Sequence, residues 1–114
     1  MTLEPYVYKI EVERVIDGDT VFATIQLGFN IRCKEYVRLF GVNTPEIYGA
    51  TATPAGVLAR DYAATWLIAE KLVLHSRKYN EREKYGRVLG SIYRDDDPES
   101  LNAALVREGH AVAS

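Results

Sequence analysis

The stretch Tyr6–Val42, YVYKIEVERVIDGDTVFATIQLGFNIRCKEYVRLFGV, decides the fold. From Tyr6 to Val15 the residues alternate, with Val7, Lys9, Glu11 and Glu13 set against Tyr8, Ile10, Val12 and Arg14. A period of two is the mark of a strand with two unlike faces. Asp17-Gly18-Asp19 then supplies a turn, and Thr20–Leu27 resumes the strand with Val21, Phe22, Thr24 and Ile25. Gly28-Phe29-Asn30 marks a second turn, and Ile31–Val42 reads as a third strand in which Arg38 interrupts the apolar run Tyr36–Phe40. Three strands joined by such short turns form an antiparallel meander.

Working outward, Thr53 and Pro54 read as the N-cap and first position of a helix. Leu58, Tyr62, Trp66 and Ala69 recur at helical spacing along it. Lys71–Arg77 and Val88–Tyr93 are apolar enough for a fourth and fifth strand. Asp95-Asp96-Asp97-Pro98 breaks the chain. Ser100–Glu108 then reads as a short helix with Leu101, Ala104 and Leu105 inward, stopped by Gly109. The expected class is mainly β with helices (α+β): a five-stranded OB-type Greek-key barrel, with one long helix after the third strand and a short C-terminal helix. An SH3-like barrel is the other topology this pattern accommodates.

The 114 residues suit one domain spanning 1–114. Charged residues interrupt every apolar run before it could cross a membrane. The opening MTLEPYVYKI lacks the basic and apolar regions of a secretory signal, so the expectation is a cytoplasmic protein. Cys33 is the only cysteine, which excludes an internal disulfide and a thiolate zinc site. Fourteen Lys and Arg against sixteen Asp and Glu leave a formal charge of −2, unlike the basic balance of many nucleic-acid binders.

Three polar clusters sit where a core would not place them. Asp17-Gly18-Asp19-Thr20 offers oxygen ligands to a hard cation, although read alone it is an ordinary hairpin turn. Asn43-Thr44-Pro45-Glu46 follows the third strand, where Pro45 stiffens the corner that displays Glu46, a carboxylate able to act as general base on water. Arg38 and Arg87 are permanently charged forks suited to phosphate oxygens, although an ion pair at the core edge would equally explain Arg38. A cation, a base and two arginines together match the needs of phosphodiester hydrolysis.

The segments Val15–Val21 (VIDGDTV), Val37–Glu46 (VRLFGVNTPE), Glu83–Tyr93 (EKYGRVLGSIY) and Leu101–Ala111 (LNAALVREGHA) resemble, in this order, the thermonuclease (staphylococcal nuclease) family. The resemblance implies a five-stranded OB barrel and a Ca²⁺-dependent nuclease acting on DNA and RNA with little sequence preference, leaving 3′-phosphates. By the same resemblance, Asp19 and the Thr44 carbonyl are Ca²⁺ ligands, and Asp17 acts on the ion through water. Glu46 is the general base, Arg38 and Arg87 hold the scissile phosphate, and Lys84 and Tyr85 contact a neighbouring one. Asn43 stands where the best-known member has a second metal-binding Asp; as a metal residue it still offers a carbonyl oxygen but no charge, so affinity for the single ion is expected to fall by about tenfold or more. The expected partner is a nucleic acid, single-stranded by preference, and the expected state is a monomer with no membrane contact. Two readings compete: a non-catalytic OB module binding single-stranded nucleic acid, and a protein-binding module with an aromatic cage.

Overall fold

The computed structural model describes residues 6–47, 49, 53–68, 71–76, 86–95 and 97–114. The chain runs β1 (Val7–Asp17), β2 (Thr20–Gly28), β3 (Ile31–Leu39), β4 (Val42–Asn43), α1 (Pro54–Trp66), β5 (Leu72–Ser76), β6 (Val88–Arg94), α2 (Leu101–Arg107) and β7 (Val112–Ala113). Five strands close into a barrel in the order β1-β2-β3-β6-β5. The meander β1-β2-β3 is antiparallel, β6 runs parallel to β3, and β5 closes the barrel by pairing antiparallel with both β6 and β1. The expected five-stranded barrel with two helices is therefore what forms.

Strand alternation fills the interior. Val21, Ala23 and Ile25 of β2 face Val37 and Leu39 of β3, Leu72 and Leu74 of β5, and Val88 and Ile92 of β6, all buried. Burial of each large side chain contributes about 1.5–3 kcal/mol. Leu101, Ala104 and Leu105 of α2 complete this core, as their spacing predicts, and Ser100 caps the helix by accepting a hydrogen bond from Ala103 N.

The structure departs from the sequence reading in three places. The third strand does not run to Val42: it ends at Leu39, Gly41 turns the chain at φ +79°, and Val42–Asn43 becomes β4. That short strand is braced by β7, which the sequence reading left unassigned; Val42 pairs with Ala113 and Asn43 with Val112. On α1 the inward face is Gly56, Ala59, Ala63 and Trp66, whereas Leu58 is 60% exposed and not a core residue. Small residues face inward because the helix lies too close to the barrel end for a Leu. Ala69 and Arg77 lie outside the described residues.

A buried Asn ties the corner after β3 to the barrel. Asn102 of α2 donates through Nδ2 to the carbonyls of Phe40 (2.9 Å) and Gly90 (3.2 Å), while its Oδ1 accepts from Ile92 N (3.4 Å). Removing the side chain would take a partner from the Phe40 carbonyl and the Ile92 N–H, at about 1–3 kcal/mol for each group left unsatisfied, whereas the Gly90 carbonyl would still accept from Phe40 N at 2.8 Å. Asn102→Ala should therefore lose about 2 kcal/mol or more in urea unfolding. A loss within about 0.5 kcal/mol, the range of ordinary surface substitutions, would show that the clamp contributes nothing.

Candidate active site

The two acidic and two basic side chains singled out in the sequence converge at one end of the barrel. Asp17 ends β1, and its Oδ1 accepts from the Asp19 N–H at 3.1 Å, shaping the turn. Leu39 N donates to the Asp19 carbonyl at 2.8 Å, which sews the turn to the end of β3. The Asp19 carboxylate is then enclosed. Its Oδ1 accepts from Thr20 Oγ1 (3.2 Å), and its Oδ2 accepts from Thr44 N (3.0 Å) and faces Arg38 Nη2 at 3.3 Å. Arg87 reaches the same cluster, its Nη1 donating to Thr20 Oγ1 at 3.3 Å.

Arg38 lies opposite Thr20 in the β2–β3 register, on the outward face. Its Nη1 donates to the carbonyls of Leu39 (2.8 Å) and Val42 (2.9 Å), so the guanidinium itself helps to hold the turn into β4. Nη2 points to the acidic side, bonding Asn43 Oδ1 at 2.6 Å besides its contact with Asp19. Asn43 thus serves as an acceptor for Arg38. Glu46 is exposed on the next corner, and its side chain makes no hydrogen bond or ion pair among the described residues. Lys84 and Tyr85 lie outside the described residues.

Close packing positions these groups. A Cβ on Gly18 would fall 2.7 Å from Thr44 Cγ2 and 3.0 Å from Ala59 Cβ, so only glycine lets the acidic turn nest between the Thr44 corner and α1. A Cβ on Gly56 would fall 2.2 Å from the Glu46 carbonyl oxygen and 2.9 Å from that of Pro45. Thr53 fixes the same junction, its N–H donating to the Glu46 carbonyl (2.9 Å) and its Oγ1 accepting from Gly56 N (3.2 Å). Sequence reading found the cap and missed Gly56. The available signal was a glycine in the first turn of a helix, a position where it costs stability unless a backbone approaches closely.

The electrostatics have one unresolved tension. Burial, with the neighbouring Asp19 carboxylate, pushes Asp17 from 3.8 up to about 7. Burial also pushes Asp19 upward, but Asp17, the Thr44 N–H, Arg38 and Thr20 outweigh it and hold Asp19 below its ordinary value. Two acids this close share a proton or need a cation. The Thr44 hydroxyl adds a buried oxygen with no hydrogen-bond partner among the described residues. An oxygen-only set of this kind fits a hard divalent cation. Among the described residues no cluster of three or more His, Cys, Asp or Glu is formed. The side chains therefore supply two carboxylates, and backbone and water would have to complete the shell, which suits modest affinity.

The class these features define is a closed OB-type barrel with an acidic pair and two arginines at one end. Residues 36–114 match the family described as staphylococcal nuclease homologue. The chain is 35% identical over 104 residues to a thermonuclease of Staphylococcus intermedius, covering 90% of this chain and 57% of that protein. It is 34% identical over 105 residues to the endonuclease YncB of Bacillus subtilis (strain 168), covering 90% and 46%, and 32% identical over 110 residues to the protein ParB of Escherichia coli, covering 90% and 55%. The chain spans about half the length of these relatives. It belongs to the staphylococcal nuclease family.

Two outcomes follow from the packing and the charge. Gly→Ala inside a helix ordinarily gains up to about 1 kcal/mol, but overpacking costs about 1–3 kcal/mol, so Gly56→Ala should lower the midpoint of thermal unfolding. A higher midpoint would mean that the Glu46 corner moves away freely. For Asp17, the raised folded value means that the native state keeps a proton the unfolded chain has lost. Its contribution to stability is full below about pH 4 and fades as pH rises through about 7. In EDTA, Asp17→Asn should remove that decline, read from urea midpoints between pH 4 and 8. Parallel curves for variant and parent would refute it.

Proposed function

We propose that this domain is a Ca²⁺-dependent nuclease that hydrolyses phosphodiester bonds of DNA, RNA or both with little sequence preference. The observation that carries the reading is the hydrogen-bonded convergence of Asp17, Asp19, Thr20, Arg38, Asn43, Thr44 and Arg87 at one barrel end. Membership of a nuclease family supports it.

In this reading Asp19 and the Thr44 carbonyl would hold Ca²⁺, with Asp17 as a further carboxylate beside them, and the ion would supply positive charge against the phosphate oxygens. Asn43 would add a carbonyl oxygen without charge, and its Oδ1 also accepts from Arg38 Nη2. Glu46, exposed at the rim and without a side-chain partner among the described residues, takes the proton of the attacking water as the new P–O bond forms. Arg38 and Arg87 donate to the non-bridging oxygens, where negative charge grows as the bond to the sugar 5′ oxygen breaks. That oxygen leaves with a proton from solvent. Nη1 of Arg38 is committed to backbone carbonyls and Nη2 to Asn43 Oδ1 and Asp19, so a phosphate reaches this guanidinium by exchanging with the Nη2 contacts. The guanidinium meets substrate already oriented, which saves the entropy of ordering it in the transition state.

Cleavage of single-stranded DNA should require Ca²⁺ and stop in EDTA. Glu46→Gln should lower kcat by at least about 10²-fold with an unchanged circular dichroism spectrum. Undiminished turnover in that variant would remove Glu46 from the mechanism. A folded parent that binds strands equally well with Ca²⁺ and EDTA but never cuts them would favour the binding-module reading.

A further inference from the structure

Beyond Thr20 and Arg38, the outward face of the β2–β3 hairpin continues in a row that the site does not use. Four consecutive cross-strand pairs share this face: Thr20 with Arg38, Phe22 with Tyr36, Thr24 with Lys34, and Gln26 with Arg32. The alternate residues Val21, Ala23, Ile25, Val37 and Leu39 are buried in the barrel, which fixes the direction of the row. Down β3 the outward side chains are therefore Arg38, Tyr36, Lys34 and Arg32, and the last three are exposed. Neither Arg32 nor Lys34 has a hydrogen bond or ion pair among the described residues. Beside Tyr36, the Phe22 ring packs at 4.8 Å between centroids. Arg14 crosses from β1, its guanidinium 5.1 Å above Phe22 and its Nη2 donating to Tyr36 Oη at 3.3 Å.

We infer that the outward face of β3, from Arg32 through Lys34 and Tyr36, is a track along which one polynucleotide strand runs to the phosphate site at Arg38. Three features select a single strand. Alternate positions on a strand are about 6.6 Å apart, so the outward row Arg32, Lys34, Tyr36 and Arg38 spans about 20 Å with a cation at three of its four positions, suited to a chain of phosphates. Between them Tyr36 exposes 43% of its surface in a cluster stiffened by Phe22 and Arg14. An aromatic ring beside a guanidinium stacks with a base face, and base faces are accessible only in unpaired strands. No carboxylate shares the β3 row. Glu11 and Glu13 lie on β1, across β2, and Glu13 is engaged by Thr24 Oγ1 at 2.7 Å. The positive file thus persists on a chain with a net charge of −2.

This inference rests on nucleic acid being the substrate, and a binding measurement separates it from the catalytic reading. The full chain is titrated in EDTA, at low salt, against fluorescent twelve-nucleotide oligo(dT), followed by anisotropy. Arg32→Ala/Lys34→Ala should weaken binding by at least about tenfold. It should also lower the slope of log affinity against log salt by about 1.4, the release expected for two phosphate contacts on a single strand. Tyr36→Ala should weaken binding with little change in slope, whereas Tyr36→Phe should largely restore it. Arg60→Ala/Lys71→Ala removes the same charge elsewhere and should change affinity little. Equal losses in both double variants, or equal affinity in the track variant and its parent, would overturn the track. So would a loss confined to duplex DNA, or one seen only on anionic vesicles. If the parent shows no nuclease activity while the track variant still loses strand binding, the track stands and the catalytic reading falls.

Discussion

Asp19 is a charge taken largely out of water, and three separate segments of chain have to meet to make that tolerable. An unpaired buried carboxylate would cost several kcal/mol. Thr20 next to it, Arg38 from β3 and the Thr44 N–H from the following corner all bond to it. Its own carbonyl meanwhile receives Leu39 N. Satisfying this one group therefore locks the β1–β2 turn, the end of β3 and the Thr44–Glu46 corner into fixed relative positions. The same contacts bring together the groups that phosphodiester chemistry needs. Asp17 is the exception: burial first, and then the neighbouring Asp19 carboxylate, push it up to about 7, so the pair shares a proton or takes a cation.

Net charge and local field part company in this protein. A balance of −2 argues against general adhesion to nucleic acid. Strand alternation nevertheless sorts charges by face, and on β3 every outward residue from Arg32 to Arg38 is cationic or aromatic. A cation file of this kind needs only a few residues, because its field acts within about 10 Å at ordinary salt. Composition averages over the surface and so cannot report it. The register does report it, because it states which side chains share a face.

The barrel was legible in the sequence because alternation from Tyr6 to Leu39 is long and its turns carry strong signals. The short strands were not. β4 and β7 are two residues each, and their pairing across some seventy positions of chain has no local signature. The inward face of α1 was misread for a different reason. Leu58 fits a helical apolar stripe, but the barrel end lies so close that only Gly56, Ala59 and Ala63 can face it, and hydrophobicity says nothing about distance. At the site, the aspartates and arginines stood out by residue type and do converge. The dual engagement of Arg38, on backbone carbonyls and on Asp19, could not be read, because both kinds of partner come from the tertiary fold. Asn102 was hidden likewise, since a polar residue in a helix reads as solvated until its three backbone partners are known.

The two glycines at the site explain why so short a corner can hold Glu46. Glu46 has no side-chain partner among the described residues to orient it, so its position is inherited from its backbone. That backbone is gripped from one side by the Thr53 N–H and stacked against Gly56. Two residues earlier, the Thr44 methyl presses on Gly18. The corner is thus wedged between a turn and a helix that both lack a Cβ at the point of contact. A wedge of this kind sets position by repulsion, which rises steeply within a few tenths of an ångström, and so fixes geometry more sharply than a single hydrogen bond could. The helix propensity given up at Gly56, about 1 kcal/mol, is the cost of placing the carboxylate by contact and leaving its oxygens free for water.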